Sequence, residues 1–204
     1  MSTPETTRPT PPPLWQRSLI VMAGIAAILI VVELIDAARD YSLDNAGIVS
    51  RQVDGLDGIL WAPFLHADFA HLWANLFPGL LFGFLVLLTR HFLAATAIIW
   101  VCSGLGVWLI GPSNAVTIGA SGIVFGWLTF LMVRGIFNRA IWQVLGGVVL
   151  FVVYGSILWG IFPQDGPVSW QGHLCGALGG VLAAWVLRDD DRSAATPAGT
   201  LPTA

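Results

Sequence analysis

The chain has 204 residues, of which 56% are hydrophobic and only 10% charged, with a mean hydropathy of +0.78. A water-soluble domain carries about 25% charged residues, so this chain cannot cover a water-facing surface; its composition is that of an integral membrane protein. The net charge of −3, carried without lysine and without a basic cluster, excludes a nucleic-acid partner. Arginine as the sole cation beside abundant Ala and Gly points to a GC-rich bacterial source.

Residues 1–14 are rich in Pro and Thr, and 189–204 run Asp-Asp-Asp-Arg into small residues. Both are expected to be disordered tails around one membrane domain over 15–188. A helix needs about 20 mostly apolar residues to cross a bilayer. Six stretches qualify: 18–37, 70–89, 92–111, 116–133, 140–162 and 168–187. The second to sixth hold no Asp, Glu, Lys or Arg; the first holds Glu33 near its far end, expected to snorkel or to be solvated there. The runs are too long for strands and lack their period of two. In lipid, helices satisfy their own backbone, so the fold class is all-α, a six-helix bundle. The first stretch is longer than a signal-peptide core and is read as an uncleaved helix.

With the N-terminus in the cytoplasm, Arg8, Arg17, Arg90, Arg134, Arg139, Arg188 and Arg192 lie inside and only Arg39 and Arg51 outside. That bias puts both termini in the cytoplasm of a cell inner (plasma) membrane. Arg134 and the 189–204 tail are expected to be dispensable, and His91 reads as a cytoplasmic loop residue. The outer loop 38–69 carries five aspartates interleaved with Trp61 and Phe64, which suits a loop resting at the membrane interface or an ordinary acidic loop. Cys102 and Cys175 lie in apolar runs and read as core residues.

Polar groups inside a membrane are costly and need a reason. Span two enters from the outer side with His71 and Asn75, four residues apart on one helix face. Ser121 and His173 each fall about five residues into spans that also start outside, roughly 8 Å deep at 1.5 Å per residue. Serine, asparagine and two histidines thus share the outer third of the bundle. Ser121 stands in Gly119-Ala120-Ser121-Gly122 with Gly126 following; His173 precedes Gly176 and Gly180. These small-xxx-small stripes let spans four and six approach closely, so that a hydroxyl meets an imidazole, the minimum for nucleophilic catalysis. Taken singly, such a serine ordinarily bonds its own i−4 carbonyl and such a histidine is a bundle residue; the coincidence of depth, spacing and chemical type argues otherwise. The serine motif is not a nucleophile elbow, since Ile123 holds its last position. No H-E-x-x-H or cysteine set supports a metal, and no carboxylate or thiolate completes a shell around His66, His71 and His173.

These residues resemble the rhomboid family of intramembrane serine proteases. The match runs through His66-x4-His71-x3-Asn75, Gly119-Ala120-Ser121-Gly122-x3-Gly126 and His173-x2-Gly176-x3-Gly180, over about residues 15–188. The resemblance implies Ser121 as nucleophile and His173 as its base, a dyad without a carboxylate. It implies an oxyanion hole from His71, Asn75 and the Ser121 N–H, and a structural or loop-orienting His66. Span five with its 163–167 loop is similar to the family's lateral gate. The family's Trp-Arg pair, about nine residues before the first motif histidine, is absent; Asp57-Gly58 stands there. The expected reaction is cleavage of another membrane protein at or near the outer end of its transmembrane helix, through an acyl-enzyme, without cofactor or metal. The partners are then transmembrane substrates and the bilayer. Two other classes compete: a catalytically silent relative that binds client helices, and a small transporter. The nearly apolar inner halves of the spans, and the lack of an internal repeat, count against transport.

Overall fold

The computed structural model describes residues 11–113, 115–164, 166 and 168–188. Most of both tails, Arg8, Arg192, and positions 165 and 167 of the 163–167 loop lie outside the described residues.

The chain is a helical bundle. In order come α1 (Leu14–Ala37), the single turn α2 (Gly58–Trp61), α3 (Phe69–Leu88), α4 (Phe92–Ile110), α5 (Ser121–Asn138), α6 (Ile141–Tyr154) and α7 (Trp170–Val186). A 3-10 turn over Gly155–Ile161 extends α6. Among the described residues, α1, α3, α4, α5 and α6 with its extension are long and apolar enough to cross a membrane; α7, with 17 residues, is shorter. The bundle class therefore holds, with five helices rather than six meeting the length of a span.

α5 is the hub: it packs on α7, α6, α3 and α4, while α4 also packs on α7. Phe82, Val86, Ile99, Leu128, Phe130 and Ala183 form its dry centre. α1 and α6 are peripheral and turn Ile28, Val31, Leu34, Trp142, Val149 and Val152 outward, the arrangement of helices whose solvent is hydrocarbon. An apolar cavity of about 370 Å³ separates α1 and α3 from α4 beneath Pro63 and Phe64.

The contact between α5 and α7 is backbone to backbone. A methyl group at Gly176 would collide with the Gly122 carbonyl, and one at Gly180 with the Gly126 carbonyl. Only glycine permits that approach, and dispersion contacts between closely packed surfaces then hold the pair in the absence of a hydrophobic drive.

Residues 38–68 fold over one end of the bundle and are pinned to α4. The Ser50 hydroxyl donates to the Val107 carbonyl at 2.8 Å, Arg51 Nη1 to the Gly111 carbonyl at 2.8 Å, and Trp100 Nε1 to the Ile59 carbonyl at 2.5 Å. A two-residue antiparallel pair, β1 (Ile48–Val49) with β2 (Val116–Thr117), ties this segment to the chain entering α5. Trp61 of this segment is exposed, whereas Phe64 packs on Trp100 with centroids 5.7 Å apart.

Three expectations need correction. Span four does not begin at 116: β2 and an extended stretch occupy 116–120, and the helix starts at Ser121 itself. Gly119 enforces the change, with φ +111° and its N–H donating to the Ala62 carbonyl. Arg134 is no loop residue but lies inside α5, 8% exposed, with its guanidinium over the Phe130 ring at 5.4 Å. Glu33 is neither snorkelling nor solvated. It is 1% exposed beside Asp36, equally buried, because the turn after α1 folds back over both; Leu43 N donates to Asp36 Oδ1 at 2.7 Å.

Candidate active site

Ser121 is the first residue of α5, so its N–H is one of the four helix N-terminal donors without an intrahelical acceptor. His173 is in the first turn of α7, whose start is fixed by Ser169 accepting from Gly172 N at 3.3 Å. The glycine contacts between α5 and α7 bring the two helix starts together, and His173 Nε2 lies 2.8 Å from Ser121 Oγ.

The proton positions follow from the partners. His173 Nδ1 lies 3.0 Å from the Gly160 carbonyl, which can only accept. Nδ1 therefore carries the hydrogen and Nε2 the lone pair, so Ser121 O–H donates to Nε2. Phe125, one turn after Ser121, stacks on the imidazole at 4.0 Å between centroids and 10° between planes.

His71 and Asn75 rise from the first two turns of α3. Asp68 caps that helix and accepts from His71 N at 2.7 Å. Ala67 N donates to His71 Nδ1 at 3.3 Å, which leaves Nε2 as the protonated, donating nitrogen. That Nε2 faces Gly119, where a side-chain carbon would come within 2.8 Å of it. Asn75 is 5% exposed; one N–H of its Nδ2 goes to the His71 carbonyl at 2.8 Å, and Oδ1 has no hydrogen-bond partner among the described residues. His66 is fully buried edge-on to His71, 5.1 Å between centroids. Burial, with the neighbouring His71 as the next cause, pushes its pKa down to about 4.

Three residues escaped the sequence reading. Gly160 contributes a main-chain atom and has no side-chain signature. Phe125 was detectable as the aromatic residue four positions after the serine, on the same helix face. Ser103 on α4 is a further polar residue at the site, donating to the Gly172 carbonyl at 3.0 Å. A cavity of about 30 Å³ beside Ser121, lined in part by Ser103, Ser169 and Gly119, is large enough for a water molecule.

A polytopic helical fold with a serine and a histidine hydrogen-bonded between two helix starts defines a class of membrane protein. The chain belongs to the rhomboid family: the family model of the Rhomboid domain matches residues 55–190. An uncharacterized protein of Mycobacterium tuberculosis is 46% identical over 199 residues, 93% of this chain and 83% of its own length. One from Mycobacterium leprae is 44% identical over 188 residues, 87% of this chain and 74% of its own. The chloroplastic rhomboid-like protein 11 of Arabidopsis thaliana is 32% identical over 148 residues, 62% of this chain and 50% of its own. No solved structure gives a significant match.

Proposed function

We propose that the chain is an intramembrane serine endopeptidase. The observation that carries this reading is the hydrogen bond from Ser121 Oγ to a His173 Nε2 whose opposite nitrogen is tied to a carbonyl. In this mechanism Ser121 Oγ attacks a peptide carbonyl while its proton passes to Nε2. The same proton then goes to the leaving amine, giving an acyl-enzyme. Water hydrolyses the ester, again with Nε2 taking and returning a proton.

The tetrahedral oxyanion needs donors aimed at it, each worth about 3–4 kcal/mol of barrier. The Ser121 N–H, at the positive end of α5, His71 Nε2–H and the second N–H of Asn75 Nδ2 are the candidates. Gly119, Gly122, Gly126, Gly176 and Gly180 serve backbone approach, and His66 buttresses His71.

The substrate is another membrane protein, cut at or near the outer end of its transmembrane helix after local unwinding, since a helical backbone shields its carbonyls. The domain spans 15–188, in the plasma membrane of a bacterium with both termini cytoplasmic. Labelling of the detergent-purified protein with a fluorophosphonate, beside cleavage of a transmembrane model substrate, tests the reading. Wild type is expected to do both, Ser121→Ala and His173→Ala neither. A folded wild type that does neither points to a client-binding relative without catalysis.

A further inference from the structure

The atom that fixes His173 comes from an unexpected element. In serine hydrolases a buried carboxylate commonly orients the base; here a main-chain carbonyl in the extension of α6 occupies that position. This extension is 3-10, and the Gly160 carbonyl stands at its end, where carbonyls lack intrahelical partners.

The two halves of this span are held differently. α6 proper is locked to α5 through close contacts at Gly135, against Gln143 and Val144, and at Gly147, against the Met132 carbonyl. The 3-10 half lies against α7 and turns Trp159, 72% exposed, outward. Gly147 is the one residue buried within α6, and none is buried in the 3-10 segment. The helix type changes at Gly155, between the half that packs on α5 and the half that packs on α7, where Ile157 and Leu158 also reach the core.

Resting on the reading of Ser121 and His173 as a catalytic pair, we infer that the Gly160 carbonyl is the positioning group of His173 and couples the dyad to the seating of Gly155–Ile161 on α7. When that segment is seated, Nδ1–H is held and Nε2 presents its lone pair to Ser121. When it lifts, the imidazole loses the acceptor that selects its tautomer, and the serine loses its base. An access movement of this segment and the competence of the dyad are then one equilibrium, with the site switched off while the segment is displaced.

Two variants test this without replacing either residue of the dyad. In Gly160→Ala the new carbon would sit 2.8 Å from Phe125 Cζ and 3.1 Å from His173 Nδ1, so the segment, the Phe125 ring or the imidazole must shift and the Gly160–His173 bond is disturbed. Replacing Ile161 by its α-hydroxy analogue turns the 160–161 amide into an ester, weakening the Gly160 carbonyl as an acceptor while adding no bulk. Nitrogen-15 NMR of His173 reports the tautomer independently of activity. The wild type is expected to be wholly Nδ1-protonated and both variants mixed. Fluorophosphonate labelling is expected to slow about tenfold in both, the factor associated with one hydrogen bond. A wild-type His173 protonated on Nε2 overturns the inference, as do ester-variant spectra and labelling identical to wild type. A wild type with the expected tautomer, lost in the ester variant but accompanied by no labelling or cleavage, overturns the protease reading and upholds the tether.

Discussion

The ring of Phe125 lies flat on the imidazole of His173, 4.0 Å between centroids and 10° between planes, so one face of the candidate base is covered by carbon. The contact restricts the imidazole to rotation within its own plane, and the bonds to Gly160 and Ser121 then fix that rotation. Phe125→Tyr is expected to retain activity within about threefold, whereas Phe125→Leu loses about tenfold in labelling and cleavage with under about 1.5 kcal/mol of stability. Labelling rates beside thermal unfolding separate the two effects.

Asn75→Ala removes one of several donors. Turnover is expected to fall about 100- to 1,000-fold, less than for Ser121→Ala, since the Ser121 N–H and His71 remain. Single-turnover cleavage measures this, and a dead enzyme would refute the minor role.

Glycines divide sharply by what faces them. Gly180→Ala drives a methyl into the Gly126 carbonyl and the Thr129 hydroxyl; it is expected to cost about 1–3 kcal/mol and to separate Ser121 from His173. Gly24→Ala on α1 meets nothing within 4 Å and is expected to be neutral or to stabilise by up to about 1 kcal/mol. Thermal unfolding in detergent distinguishes them.

Stability is expected to respond to pH through two groups outside the spans, with opposite signs. Burial, with the neighbouring Asp36 and Glu33 carboxylates, raises Asp44 to about 7 from 3.8; its contribution is present below pH 4 and lost as pH rises to 7. His66, lowered to about 4 from 6.5, contributes fully above pH 6.5 and loses that contribution as pH falls to 4. The two slopes oppose each other between pH 4 and 6.5. The melting temperature of Asp44→Asn minus that of wild type should therefore grow from pH 4 to 7 and then level off. A difference independent of pH would refute the shift.

Arg134→Ala, which a loop position would make silent, is expected to destabilise the protein by about 0.5–2 kcal/mol, because its guanidinium covers Phe130 in a buried setting. Parallel unfolding curves check this.

What the sequence determined by itself is the membrane class, the helical fold and the candidate residues, of which the structure brings Ser121 and His173 into hydrogen-bond contact. Hydrocarbon forces long apolar runs into helices, and it makes each polar residue costly enough to be conspicuous, so Ser121, His71, Asn75 and His173 stand out from one chain alone. The glycine stripes likewise announce a close helix pair, because small residues are what close approach requires. The start of α5 was not legible. Val116–Ala120 is as apolar as a helix entry, and its extended course depends on β1 and on the Ala62 carbonyl, both over 50 residues away in the chain. Arg134 and Glu33 were misplaced for a related reason: charge alone marks a residue as wet, whereas burial is decided by what the chain folds against it. Only the tertiary structure supplied the orienting partner of His173. Gly160 acts through a backbone carbonyl, a group common to every residue, so its role is set by where the chain places it rather than by which side chain it carries.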